Sequence, residues 1–105
     1  MTIKDKLAHY EPKPLGEKGR YAVLLPLIYD IKTDKYQILY QVRSEHISQP
    51  GEVSFPGGRV EEGETFQEAA IRETCEELNL FPDQIDIWGE IDYLIHQGRT
   101  IHCFV

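Results

Sequence analysis

Cysteine is scarce in this sequence: Cys75 and Cys103 are the two thiols among 105 residues. They form no CxxC pair and have no Cys/His spacing of a zinc site. That argues against a disulfide-stapled secreted scaffold and leads us to expect reduced thiols in a cytoplasmic protein. Basic side chains are also short, 11 Lys and Arg against 18 Asp and Glu, for a net charge of -7. The surface as a whole is therefore unsuited to capturing nucleic acid or an anionic membrane. An anionic ligand would need a local basic group or a bridging metal. Long apolar runs are missing too. The longest, "YAVLLPLIY", contains a proline and falls far short of the roughly 20 residues that span a bilayer. No stretch resembles a signal peptide, a repeat, a low-complexity tract or a DxDxDG calcium loop.

What is present is enough for one domain and not for two. Hydrophobic residues make up 41% of the chain, so a modest core can form. Residues 1–19 mix Lys, Glu, Pro and Gly and read as a loose lead-in or a short helix followed by a linker. Residues 20–105 read as the folded domain. In it, "RYAVLLPLIYD" is strand-like, "IKTDK" is a polar turn and "YQILYQVR" is a second strand, which together predict a hairpin. "SEHISQPGEVSFPGGRVEEGE" is a long functional loop with an extended piece at Val53 to Phe55. Further on, "FPDQ" is a turn, "IDIWGEIDYLI" a strand with a bulge at Gly89, "HQGR" a tight turn and "TIHCFV" a last strand. A compact domain seldom ends on an apolar strand edge. The expectation is that the C-terminal part is truncated, or that a second chain, as in a homodimer, completes the sheet.

The segment "GGRVEEGETFQEAAIRETCEELNL", Gly57 to Leu80, carries seven glutamates and two arginines. Thr65 and Glu68 form a capping box, "FQEAAIRETCEEL" follows without a breaker, and Asn79 suits a left-handed C-cap. On that helix Ile71, Thr74, Cys75 and Leu78 gather on one side as the expected core face. Glu73, Glu76 and Glu77 fall within an arc of roughly 100° on another side. Their spacing makes them neighbours that repel by about 0.2–0.5 kcal/mol per pair in an isolated helix. Three convergent carboxylates form a hard-oxygen set suited to Mg²⁺ or Mn²⁺; a plain solvated acidic face is the other reading. Gly57 and Gly58 allow close backbone approach to a ligand.

The spacing from Gly58 through Glu64 to Arg72-Glu73 and Glu76-Glu77 reproduces GX5EX7REUXEEXGU, and the chain thereby resembles the Nudix hydrolase superfamily from about Arg20 onward. Thr74 stands where an aliphatic residue is usual, and Asn79 stands at the final glycine. The resemblance implies an α/β fold, a mixed β-sheet sandwiched between helices, with the motif as loop–helix–loop. It implies that Glu73, Glu76, Glu77 and the Gly58 carbonyl are metal ligands for Mg²⁺ or Mn²⁺. It further implies that Arg72 orients the glutamates, that Glu64 supports them, and that the reaction hydrolyses a diphosphate joined to another group. Either Glu76 or Glu77 could take the proton from water.

Upstream, Leu39, Arg43, Ser44, Gly51, Glu52, Val53, Phe55, Pro56, Gly57 and Gly58 resemble the segment that marks the coenzyme A pyrophosphatases. That likeness implies cleavage of coenzyme A or an acyl derivative into phosphopantetheine (or its acyl form) and adenosine 3′,5′-bisphosphate. It also implies substrate contacts from Arg43, Ser44, Pro56 and Gly57. Arg43 suits a bidentate phosphate contact, or a bridge from its strand end to an acidic loop. The pattern's second arginine is missing: His46, Ile47, Ser48 and Gln49 occupy that region. This departure leaves open a nucleotide sugar, a dinucleotide or an oxidised nucleotide as substrate. A metal-binding module without turnover is a third reading. Trp88 is expected in the core, and Phe55 is expected to pack under the loop.

Overall fold

A computed structural model describes residues 2–42 and 53–105. Near the N-terminus, Thr2 and Asp5 close a capping box on a short helix α1 (Ile3–Ala8), which buries no residue. The apolar run read as one strand is two, β1 (Gly19–Leu24) and β2 (Leu27–Asp30). The break falls at Leu25 and Pro26, where proline has no amide to continue the ladder. The expected hairpin forms between β2 and β3 (Lys35–Ile38), in antiparallel register from Leu27↔Ile38 to Asp30↔Lys35. Two short strands follow, β4 (Gln41–Val42) and β5 (Val53–Ser54), paired antiparallel. Next come β6 (Gly57–Arg59), the acidic helix α2 (Phe66–Leu78), a 3₁₀ turn (Pro82–Gln84), β7 (Leu94–His96) and β8 (Arg99–Phe104).

The main sheet has the order β6-β1-β8-β7 and is mixed. β1 and β8 run parallel, with Tyr21 opposite Ile101 and Leu24 opposite Phe104, while the β1–β6 and β7–β8 pairs are antiparallel. The turn between β7 and β8 uses Gln97 at φ 52° and Gly98 at φ 78°, the two left-handed residues of a tight hairpin turn. Strand alternation sends Ala22, Leu24 and Phe104 to the face covered by α2, where they bury against Ala69 and Ala70. Leu24 and Phe104 each contribute about 1.5–3 kcal/mol by that burial.

The buried stripe of α2 differs from the expected one. Ala69, Ala70 and Thr74 are its buried residues, whereas Ile71, Cys75 and Leu78 are half-buried. The alanines have no bulk to hold α2 away from β1, so the helix rolls toward them. Thr74 places its hydroxyl in the core without leaving it unpartnered, because it donates to the Ala70 carbonyl at 2.7 Å.

The long strand expected over Ile85 to Ile95 is also corrected. It touches β8 through a bridge at Glu90↔Phe104 and becomes regular at β7. Around Gly89 the pairing does take a bulged form, with the Trp88 and Gly89 amides both donating to the Val105 carbonyl, at 2.8 and 3.3 Å. Trp88 is 60% exposed rather than core. It packs edge-on against Tyr36, ring centroids 5.4 Å apart. Among the described residues, no helix is long and apolar enough to cross a membrane.

Candidate active site

The loop before α2 is anchored by pairing. β6 lies against β1 with Gly58 opposite Ala22 and Gly57 opposite Val23. A side chain at Gly57 would run into the Ala22 carbonyl and, at 2.8 Å, the Val23 Cα, so only glycine permits this approach. At Gly58 a Cβ would meet instead the Glu73 carboxylate, at 2.5 Å from its Cδ. The acidic helix thus lays one carboxylate directly over the glycine backbone. Its N-terminus is fixed by the Thr65–Glu68 capping box and its C-terminus by Asn79 in the left-handed region at φ 57°, both as expected.

Arg72 organises the acids around it. It donates twice to Glu64, from Nε at 2.7 Å and from Nη2 at 3.0 Å, a bidentate pairing. It also donates to Glu73 at 2.8 Å and to the Arg59 carbonyl at 3.0 Å, which ties helix to loop. Hydrogen bonding to Glu64 first, then to Glu73, holds the Arg72 guanidinium charged well beyond its ordinary range. Reciprocally, the Arg72 hydrogen bonds keep the Glu64 carboxyl below its usual value. Glu64 itself reaches back to the Glu61 amide at 3.0 Å.

Glu77 behaves differently. Its carboxylate accepts from the Gly57 amide at 3.0 Å and from Gln41 Nε2 at 3.1 Å. Its pKa is nevertheless raised, foremost by desolvation, with the charges of Glu73 and Glu76 adding to the effect against those two hydrogen bonds. Glu76 stays out toward solvent, 61% exposed, 3.6 Å from Arg72.

The structure brings Gly57, Gly58 and Glu77 together on a cleft of about 700 Å³. Glu64, Arg72 and Glu73 form a packed ion-pair group beside that cleft. Pro56 is fully buried and its carbonyl accepts from the Leu24 amide at 2.9 Å, so it serves packing and does not line the cleft. Phe55, expected beneath the loop, does line it and is partly exposed. Arg43 and Ser44 lie outside the described residues.

By donor chemistry the site fits a divalent ion: Glu73, Glu76 and Glu77 offer hard carboxylate oxygens on adjacent turns, and the charges of Glu73 and Glu76 disfavour ionisation of Glu77. The three side chains are held by different partners, however. Among the described residues no group of three His, Cys, Asp or Glu side chains is gathered tightly enough to hold a metal ion. Glu73 is drawn to Arg72, Glu77 to the Gly57 amide and Gln41, and Glu76 to solvent. Helical spacing makes the three backbones neighbours, while each side chain follows its nearest donor.

Among the cleft residues that the sequence did not mark are Gln41, Tyr21 and Arg99. Gln41 had a visible signal, since it stands two residues before Arg43 in the run "YQILYQVR". Tyr21 and Arg99 had none, because only the parallel pairing of β1 with β8 brings their strands together.

A family model described as the NUDIX domain matches residues 19–102. "Nudix hydrolase 3" of Caenorhabditis elegans is 42% identical over 77 residues, covering 72% of this chain and 31% of the relative. "Peroxisomal coenzyme A diphosphatase NUDT7" of Mus musculus is 37% identical over 93 residues, covering 81% of this chain and 39% of the relative. The chain thus spans well under half the length of these two curated relatives. Among solved structures, the C. elegans Ap4A hydrolase binary complex superposes with a TM-score of 0.66 at 26% identity, over 80% of this chain and 61% of that one.

Proposed function

The chain belongs to the NUDIX domain family, and on that premise we propose that it hydrolyses a diphosphate linkage, with coenzyme A or an acyl derivative as substrate. The observation that carries this reading is the position of Glu77. It stands where the acidic face of α2 meets the cleft, hydrogen-bonded to the Gly57 amide and raised in pKa by desolvation.

In this reading Glu77 is the general base. Of the two candidate carboxylates it is the one that lines the cleft. Glu76 is largely in solvent and does not line the cleft. Water attacks one phosphorus, the bridging P–O bond breaks, and the proton passes to Glu77. Arg72 holds Glu73 against Gly58 and fixes Glu64 behind it, so the carboxylates are set before substrate arrives. Glu73, Glu76, Glu77 and the Gly58 carbonyl are the groups that would hold Mg²⁺ or Mn²⁺. When bound, such an ion neutralises diphosphate charge and lowers the pKa of water.

Coenzyme A is supported by the segment from Leu39 to Gly58 and by the name of the murine relative. Arg43 and Ser44 are the proposed phosphate contacts from that segment. The two free thiols agree with a reducing cytoplasm as the working compartment.

The missing second arginine, together with the likeness to a protein titled Ap4A hydrolase, favours a second reading in which another nucleoside diphosphate derivative is cleaved. A panel of kcat/KM values decides between them, using coenzyme A, a nucleotide sugar, a dinucleoside polyphosphate and an oxidised nucleoside triphosphate. Coenzyme A should rank first. A clear preference for any other member would reject the coenzyme A assignment.

A further inference from the structure

With a net charge of -7, the molecule repels the anionic substrates proposed above unless a cation is held locally. Among the described residues that line the cleft, Arg99 is the one cation. Its guanidinium carbon lies 5.9 Å from the centroid of the Tyr21 ring, within cation–π range. No carboxylate among the described residues lies within ion-pair distance of it. An arginine laid on an aromatic face keeps its edge N–H groups directed outward, the geometry that grips a phosphate through two parallel hydrogen bonds.

The stem of Arg99 is set by its neighbours. Thr100, buried at 6% exposure, donates to Glu17 at 2.6 Å, and the Lys18 amide donates to the Gly98 carbonyl at 2.6 Å. These bonds hold the start of β8 against the segment leading into β1. Alternation along β8 then turns Arg99 and Ile101 to the sheet face opposite α2, the face that also carries Tyr21. One cleft therefore has a carboxylate, Glu77, on its helix side and a stacked guanidinium on its strand side.

We propose that Arg99, supported by Tyr21, is a specificity-determining residue that receives a phosphate of the substrate's nucleotide end other than the one attacked. The assignment rests on the reading of this cleft as the substrate cleft. It predicts selection for phosphorylated over unphosphorylated nucleosides, by a contact independent of the carboxylates of α2.

The test is calorimetric titration of metal-free protein with adenosine 3′,5′-bisphosphate and with adenosine, for the wild type, Arg99→Gln, Arg99→Lys and Tyr21→Leu. The wild type should bind the bisphosphate about tenfold or more tightly than adenosine, a reasonable effect for a charge-assisted bidentate contact. Arg99→Gln should bring the two affinities within about threefold by weakening only the bisphosphate, and Arg99→Lys should keep part of the preference, as a point charge without the fork does. Tyr21→Leu should fall between wild type and Arg99→Gln. An undiminished preference in Arg99→Gln, or no preference in the wild type, would overturn the proposal. Arg99 is exposed, so the variants should fold, and unchanged circular dichroism checks that they do. Because binding is read without metal and without turnover, failure to cleave coenzyme A would remove the proposed reaction while leaving this preference measurable.

Discussion

At the scale of single residues, two adjacent glycines carry different burdens. At Gly57 an added Cβ meets backbone, the Ala22 carbonyl and the Val23 Cα, which cannot move without separating β6 from β1. At Gly58 it meets the end of a side chain, the Glu73 carboxylate. Gly57→Ala should therefore cost about 1–3 kcal/mol of folding stability by overpacking. Gly58→Ala should leave the unfolding midpoint nearly unchanged, because Glu73 can swing aside, yet lower kcat about tenfold or more through the displaced carboxylate. Urea unfolding and steady-state kinetics on both variants check the pair; equal destabilisation would refute the distinction. The need for glycine here was legible in the sequence as a motif position. What each glycine faces was not, since it depends on β1 and α2 arriving from opposite sides. Arg99 was illegible for the same reason: nothing near it in the chain marks it, and its partner Tyr21 belongs to another strand.

At the scale of elements, α2 was the most legible part of the fold because its signals are local. Thr65, Glu68 and Asn79 specify their caps through contacts within a few residues, and all three do so in the structure. Replacing Thr65 with alanine removes the oxygen that accepts from the Glu68 amide at 3.1 Å. The expected loss is about 1 kcal/mol, read as a lower urea midpoint with an unchanged m value. A shift of zero would mean that α2 is held by packing alone. The segment from Ile85 to Ile95 shows the opposite case. Its alternation and its branched residues are those of a strand, but pairing with β8 is broken between Ile91 and β7, and no local signal encodes that. The split of β1 from β2 was legible in principle, since Pro26 sits in the middle of the run. Its apolar neighbours on both sides masked the break. The core face of α2 was half legible: hydrophobicity marked Ile71 and Leu78, while the closest approach was made by Ala69 and Ala70, whose small size is the reason they bury.

At the scale of the whole molecule, charge decides both stability and chemistry. Glu17 is tied to Thr100 and Arg20, and those bonds, the Thr100 hydroxyl first, hold its carboxyl below the ordinary value of 4.5. A depressed carboxyl stabilises the fold above its unfolded pKa and loses that contribution as pH falls through the lower folded value. Thermal stability should accordingly fall with acidification from about pH 5 downward, and Glu17→Gln should lessen that dependence while lowering the melting temperature at neutral pH. Parallel pH curves for the two proteins would show that Glu17 plays no such part. The opposite sign applies at Glu77, where desolvation raises the carboxyl. The decisive measurement is release of adenosine 3′,5′-bisphosphate from coenzyme A, followed across a Mg²⁺ or Mn²⁺ titration for the wild type and Glu77→Gln. Release that saturates with metal and falls by about 10²-fold or more in the variant is predicted. Turnover that is indifferent to the metal, or equal in the two proteins, would contradict it.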